Sequence, residues 1–379
     1  MKYLLFSACL FCFNVLHLYG SDIDAKIDSI CRMKGVIGMR AFAIKDTSVI
    51  YEYTFGEALH YKNGEYLYTD FNDDRDLWKI ASVTKNVVAL AIMQLYENWK
   101  IDLDADINKY LPFKIRNPKY INNPITVRML LSHYSSIAKG QYDSKNYKGV
   151  EFLDCMPGSK YEYSNINYLL LASIIENMTG ERFDRYIQNN IFTPIGVSAS
   201  FDPYENNSDD LIYGMWLNGK TGQLVFCDTY QAYDKERIAN YVLANTTNEL
   251  NPAGGLIITP KGLIKYIGLC MGSIKDSCII KERTLRQMRI PYSPDKKCGL
   301  GTLDYSYTIA GETLFGHTGY SYGIFSAMIY NPVKKYGFII LCNGAQGDYS
   351  MAYPELHAPV IKILYNSVIA NIYVAGDKN

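Results

Sequence analysis

The segment Trp78–Trp99, WKIASVTKNVVALAIMQLYENW, constrains this chain more than any other. Val83, Val87, Val88, Leu90, Ala91, Ile92 and Leu95 cover nearly every face of a helix, which predicts a helix buried all round. Yet Ser82 and Lys85 stand at its very start. A lysine there is doubly unfavourable: the interior removes its hydration, and the positive end of the helix dipole repels its charge. A sequence shaped only by stability tends to avoid that placement. Chemistry gives it a purpose. Ser-x-x-Lys at a helix start puts hydroxyl and amine one turn apart on one face. A serine hydroxyl is a poor nucleophile until a base takes its proton. Burial and the helix N-terminus both lower a lysine pKa, which makes the amine a usable base. The same spacing recurs as SIAK at Ser136 and SPDK at Ser293, but there the context is polar and no apolar helix follows.

The remaining composition mainly excludes. At 379 residues and 48% hydrophobic, the chain can bury a substantial core, in one large domain or two interleaved ones. The formal net charge is zero and no Lys/Arg run stands out, so a nucleic-acid partner is not expected. The histidines at 17, 60, 133, 317 and 357 show no metal-ligand spacing, and neither metal nor cofactor is expected. The 34 tyrosines read as compositional bias, with a sugar-stacking surface as the lesser reading. The opening MKYLLFSACLFCFNVLHLYGSD fits a secretory leader over residues 1–20, which predicts a secreted or periplasmic protein. An uncleaved anchor has too short an apolar run, and a lipid-modified Cys9 has too few apolar residues before it. No other stretch is long and apolar enough to span a bilayer, so the mature chain 21–379 is expected to be soluble. Seven cysteines remain after the leader, an odd number without CxxC, which favours free buried thiols.

Strand signals gather at both ends. Val36 to Phe55 reads as two strands around a turn at Asp46-Thr47. LFGHTGYSYGIFSAMIYNPVKKYGFIILCNG reads as two more, with the hairpin turn at Asn331 to Lys335. Ile101 to about Asn190 reads as mostly helical, with Gly180 as a helix stop, and Tyr353 to Tyr373 as a C-terminal helix. The polar stretch 200–250 gives no clear periodicity. This predicts one sheet built from both chain ends (about 21–80 and 256–379), with a mainly helical region (about 100–255) inserted.

Two further motifs fall in register with Ser82. YSN at Tyr163–Asn165 precedes an apolar helical run, and HTG at His317–Gly319 lies on a strand. Each is weak alone, since Tyr-x-Asn also occurs at Tyr61, Tyr120 and Tyr204. A literal KTG at Lys220–Gly222 sits in LNGKTGQLVF, which reads as a hairpin turn and comes too early for a closing strand. In this order and context, SVTK, YSN and HTG resemble the serine β-lactamase and penicillin-binding protein superfamily. The blocks ITVRMLLSHYSSI, PGSKYEYSNINYLLLASIIENMTGERFDRYIQNNIFTPIGV and NPAGGLIITPKGL strengthen it. The resemblance runs from about residue 30 to 370. It is closest to the class C β-lactamase, D-alanyl-D-alanine carboxypeptidase and family esterase group.

That resemblance implies an α/β (α+β) fold of the β-lactamase/transpeptidase-like type, an antiparallel sheet flanked by helices. It implies Ser82 as acylated nucleophile, Lys85 as proton acceptor and Tyr163 as proton shuttle. Asn165 would hold the substrate amide, and His317, Thr318 and Gly319 would line the site. The backbone N–H groups of Ser82 and Tyr320 would form the oxyanion hole. The implied function is a secreted serine hydrolase that acts through an acyl-enzyme on a cell-wall-type D-amino-acid peptide. The alternatives are an esterase, a D-aminopeptidase or a class C-like β-lactamase, and, outside catalysis, a protein that binds a β-lactam or cell-wall peptide without turnover. In each case the partner is a small peptide, β-lactam or ester. One departure matters. Carboxypeptidase relatives place an arginine shortly after a GLG, where it clamps the substrate carboxylate; here Gly299–Gly301 is followed by Thr302-Leu303-Asp304.

Overall fold

Every side chain of Gly38–Ile44 is buried, because the strand they form has both faces covered. This is β1 (Gly38–Lys45) of a computed structural model that describes residues 22–376, apart from 140–148, 219, 231–232, 275–278, 294–297 and 348–355. Met39, Ala41 and Ala43 point to one core, shared with α1 (22–33) and α9 (His357–Leu364); Phe42 and Ile44 point to the other, around α2 (Thr84–Glu97). The expected leader, with Cys9 and Cys12, lies outside the described residues.

The first and last strands lie side by side. β1 pairs antiparallel with β2 (Ser48–Gly56) on one edge and β13 (Tyr336–Gly347) on the other. β12 (Ile324–Asn331), β11 (Phe315–Ser321) and β10 (Leu303–Asp304) continue the antiparallel order beyond β13. Both expected hairpins form. Asp46 takes φ 57° in the first turn, and Lys335 takes φ 54° in the second. In the second, the Asn331 carboxamide oxygen accepts the N–H groups of Val333 and Lys334, a side chain standing in for a backbone turn.

Two corrections concern the middle of the chain. β3 (Ala58–Lys62) and β4 (Glu65–Thr69) form a separate hairpin, whereas β7 (Gly214–Asn218) and β8 (Leu224–Cys227) join the main sheet. β7 runs parallel to β13 along Gly344–Gly347. The KTG of Lys220–Gly222 lies in the β7–β8 turn. Residues 101–126 hold only 3-10 turns instead of the expected helix. Pro112, Pro118 and Pro124 interrupt it, and Asp102, Asp106 and Asn117 each accept the N–H two residues on. True helices follow: α3 (Val127–Leu131), α4 (Ile166–Thr179) and α5 (Phe183–Ile187). Gly180 ends α4 at φ 71°, the left-handed cap expected of it.

Short α6 (Lys235–Ala239) precedes α7 (Pro260–Cys270), which is capped by Thr259, and α8 (Glu282–Met288). The C-terminal helix is α9, a π turn at Tyr365–Ile369 and α10 (Ala370–Gly376). The described cysteines 31, 155, 227, 270, 298 and 342 are all free. No helix among the described residues is long and apolar enough to cross a membrane.

Candidate active site

Ser82 is presented by a turn between a strand and a helix. β5 (Trp78–Lys79) pairs with β9 (Ile257–Ile258), which also holds β6 (Ala199–Ser200), and Ile80 N–H donates to the Leu256 carbonyl at 3.0 Å. The chain then reverses through Ala81 at φ 45°, a conformation uncommon for a residue with a side chain. A 3-10 turn, Ala81–Val83, leads directly into α2. Ser82 therefore sits half-buried on the turn, and Lys85 in the first turn of α2 is wholly buried.

Lys85 Nζ lies 3.0 Å from Ser82 Oγ and donates to the Ala253 carbonyl at 2.6 Å. Among the described residues no carboxylate pairs with it. Burial lowers its pKa from 10.5 to about 7. Its other neighbours are ring faces, Tyr163 at 5.0 Å and Tyr168 at 5.7 Å. The Tyr163 hydroxyl shares a hydrogen bond with Ser82, and burial pushes its pKa up to about 12 against that bond. Near neutral pH, Lys85 exchanges its proton readily and Tyr163 keeps its own.

His133, to which the motifs assign no role, builds the turn that carries Tyr163. Its backbone takes φ 62°, and its carbonyl accepts Glu162 N–H at 2.8 Å. Its Nδ1 accepts Ser164 N–H at 3.2 Å and lies 3.0 Å from Asn167 Nδ2. Its ring packs 4.4 Å from that of Tyr163. Burial above all, with Lys85 and His317 nearby, keeps His133 well below the usual histidine range, so Nδ1 stays an acceptor. Asn165 occupies the N-cap of α4 but makes no capping bond with its side chain, which is exposed. The structural role available to it, a helix cap, is not the one it fills.

The HTG motif lies on β11, against the Ser82 turn. A Cβ on Gly319 would fall 2.6 Å from the Ile80 carbonyl oxygen and 2.7 Å from Ser82 N. Only glycine lets the strand approach so closely, and Tyr320 is the next residue along it. Ser326, opposite Gly319 on β12, donates to the same Ile80 carbonyl at 2.6 Å. Thr318 Oγ1 lies 3.0 Å from the Tyr305 hydroxyl. His317 is buried, its Nδ1 2.6 Å from the Thr318 carbonyl, which can only accept. Burial first, then Lys85, pushes its pKa down to about 3 against that bond. His317 is therefore neutral and does not supply the positive charge of a lysine at this position.

The GLG loop proves to be a brace. Asn86 Nδ2 donates to the Gly301 carbonyl and to Thr302 Oγ1, each at 3.0 Å, fastening the loop to α2. Thr302 is buried, and the Asp304 carboxylate accepts Ser306 N–H at 2.7 Å, within its own turn. A cavity of about 450 Å³ reaches Tyr163 and Ala253, the partners of Ser82 and Lys85. Its walls include Tyr163, Asn165, Tyr233, Glu249, Ala253 and Lys139. Lys139 comes from the SIAK stretch; Ser136 of that stretch is buried, 3.1 Å from Asn117 Nδ2 and far in role from any nucleophile. Ser82, Lys85, Tyr163 and the β11 backbone are thus brought together, with Asn165 on the cavity wall.

The sequence profile of the Beta-lactamase family matches residues 23–358. Protein flp of Staphylococcus aureus is 27% identical over 318 residues, covering 78% of this chain and 58% of flp, so the chain spans a little over half that relative's length. An Escherichia coli O157:H7 protein, named provisionally as a D-alanyl-D-alanine carboxypeptidase, is 24% identical over 87% of this chain and 83% of its own. Among solved structures, the octameric penicillin-binding protein homologue from Pyrococcus abyssi superposes with a TM-score of 0.70 at 24% identity, over 91% of this chain and 77% of that one. The D-amino acid amidase from Ochrobactrum anthropi SV3 gives 0.67 at 21% identity, over 92% and 99%. With the sheet, the inserted helical region and a profile match over most of its length, this chain belongs to the beta-lactamase family.

Proposed function

We propose that this protein is a serine hydrolase that works through an acyl-enzyme, with Ser82 as nucleophile, Lys85 as the base that takes its proton, and Tyr163 as the group that passes a proton to the leaving group. The observation that carries the reading is the buried Lys85, 3.0 Å from Ser82 Oγ and held near a pKa of about 7. An amine so tuned is half deprotonated at neutral pH, which suits general-base catalysis. The developing oxyanion would sit between the Ser82 and Tyr320 N–H groups. Collapse of the tetrahedral adduct leaves an ester on Ser82, and water then takes the same route in reverse.

The relatives support a D-amino-acid peptide or amide as the substrate class, and Asn165 on the cavity wall would hold its acyl part. A fluorophosphonate probe should add mass to the peptide that contains Ser82, and Ser82→Ala should abolish the adduct. Mass added elsewhere, or none, overturns the reading. Turnover of a D-Ala-D-Ala peptide, a D-amino acid amide, a chromogenic cephalosporin and short-chain esters then separates the activities. Adduct formation with every one of them and turnover of none would favour a binding protein instead.

A further inference from the structure

Ser82 has a buried lysine on either side, three residues away in each direction. Lys85 has a chemical role; Lys79 has none so far. It is wholly buried on β5, and among the described residues no carboxylate pairs with it. Its ammonium donates to the Thr229 carbonyl at 3.0 Å and faces three aromatic rings: Tyr233 at 5.1 Å, Tyr322 at 5.3 Å and Tyr230 at 5.9 Å.

Those four contacts join three parts of the site. β5 leads into the Ser82 turn. Tyr233 is a wall of the substrate cavity, and its hydroxyl donates to the Gly255 carbonyl at 3.3 Å. Tyr322, at φ 47°, forms the tip of the β11–β12 hairpin, two residues beyond Tyr320. The tip is pressed against β7, since a Cβ on Gly214 would fall 1.9 Å from the Tyr322 carbonyl oxygen. Gly214 N–H in turn donates to Thr229 Oγ1 at 2.7 Å. Thr229 thus links the hairpin tip to Lys79 through its side chain and its carbonyl.

We propose that protonated Lys79 is a positioning residue, latching the β11–β12 tip and the residues Thr229, Tyr230 and Tyr233 onto β5 so that the Tyr320 N–H stays in register with Ser82. The inference rests on the acyl-enzyme reading above. Attraction to ring faces and a charge-assisted bond to a carbonyl both require the ammonium, and a neutral amine loses most of each. Burial lowers the Lys79 pKa to about 8, partly opposed by Asp228. The groups that face it are Asp228, Tyr230, Tyr233 and Tyr322, and burial holds Tyr230 and Tyr233 above the usual tyrosine range. Mild alkali therefore discharges Lys79 before Tyr230 or Tyr233, and the latch loosens.

The test measures the second-order rate of fluorophosphonate labelling at Ser82 in the full chain from pH 6 to 10. The wild-type rate should rise through about 7 with Lys85 and fall again through about 8 with Lys79. Lys79→Met should label about tenfold more slowly at neutral pH and lack the alkaline fall. Its melting temperature should hold or rise, because an apolar side chain replaces a buried charge. Lys79→Arg, which stays charged, should keep most of the neutral rate and also lack the fall. Wild-type labelling by Lys79→Met, or an alkaline fall that survives in Lys79→Arg, overturns the latch. Absence of Ser82 labelling in the wild-type chain is a separate result: it overturns the acyl-enzyme reading, and the latch with it.

Discussion

The Lys85 amine lies closer to the Ala253 carbonyl, at 2.6 Å, than to the hydroxyl of Ser82, at 3.0 Å. A carbonyl can only accept, so one N–H of the amine is always committed to Ala253. In the neutral form one lone pair is left, and Ser82 Oγ–H is placed to donate into it. The geometry thus sorts the proton traffic: the carbonyl fixes the amine's rotation, and burial frees the lone pair of its proton near neutral pH.

Labelling of Ser82 should therefore rise with pH through about 7, because the active form of Lys85 is the deprotonated one. Lys85→Arg should lower the rate by about a hundredfold or more, since a guanidinium stays protonated. Stability gives an independent reading. The folded pKa of about 7 is below the ordinary 10.5, so between these values the unfolded chain binds more protons. The Lys85 contribution to stability accordingly improves as pH rises across that window, and Lys85→Met should remove this part of the pH dependence of Tm. An unchanged labelling profile in Lys85→Arg would mean that another base operates.

Gly319→Ala tests the approach of β11 to the Ser82 turn. The added methyl meets the Ile80 carbonyl and Ser82 N inside van der Waals contact, on backbone atoms that cannot swing away. The strand must retreat, carrying Tyr320 with it. Losing one oxyanion donor typically costs about 2.7–4 kcal/mol, a hundredfold or more in kcat. The variant should show that loss in acylation rate, with a much smaller change in Tm than a core deletion gives. Wild-type acylation would show that Tyr320 takes no part in an oxyanion hole.

His133 should matter through Tyr163 alone. His133→Ala leaves the Ser164 N–H without its acceptor, a cost of about 1–3 kcal/mol, and removes the ring that supports Tyr163. His133→Asn keeps an acceptor near Nδ1. Acylation by the alanine variant should fall by about tenfold or more, and the asparagine variant should recover part of it. If the two variants behave alike in rate and differ only in Tm, the residue is structural.

What was legible in the sequence is what acts through side-chain type and local spacing. Ser82 and Lys85 announced themselves as polar residues opening an apolar helix, and the strand pairs at both ends by their apolar runs and turn residues. Ala253 and Thr229 could not be read in that way, because they act through backbone carbonyls that any residue possesses. Their partners Lys85 and Lys79 are 168 and 150 residues away in sequence. The hairpin turn around Lys220–Gly222 is legible, but its flanking strands are not: Leu224, Val225 and Phe226 are all exposed, so no apolar-polar alternation marks β8. The helical reading of residues 101–126 failed where prolines and side-chain turns outcompeted apolar spacing.

The last prediction concerns the absent arginine after the GLG. Thr302 is spent on Asn86, the Asp304 carboxylate on Ser306 N–H, and His317, its pKa pushed down to about 3, is uncharged at neutral pH. Lys297, another cation in this stretch of sequence, lies outside the described residues. On the cavity wall the described cation is Lys139, whose side chain is 68% exposed and 3.8 Å from Glu162. A charge so hydrated adds about 0–1 kcal/mol to an ion pair, against about 1.5–3 kcal/mol for a built, charge-assisted clamp. The enzyme should therefore treat a D-Ala-D-Ala peptide acid and its amide alike, within about fivefold in kcat/KM. Lys139→Ala should move that ratio by no more than the same factor. A preference for the acid of about tenfold or more would mean that a clamp exists. If Lys139→Ala then abolished the preference, Lys139 would be the clamp; if the preference survived, the positive charge would have to come from elsewhere, with Lys297 the first to substitute.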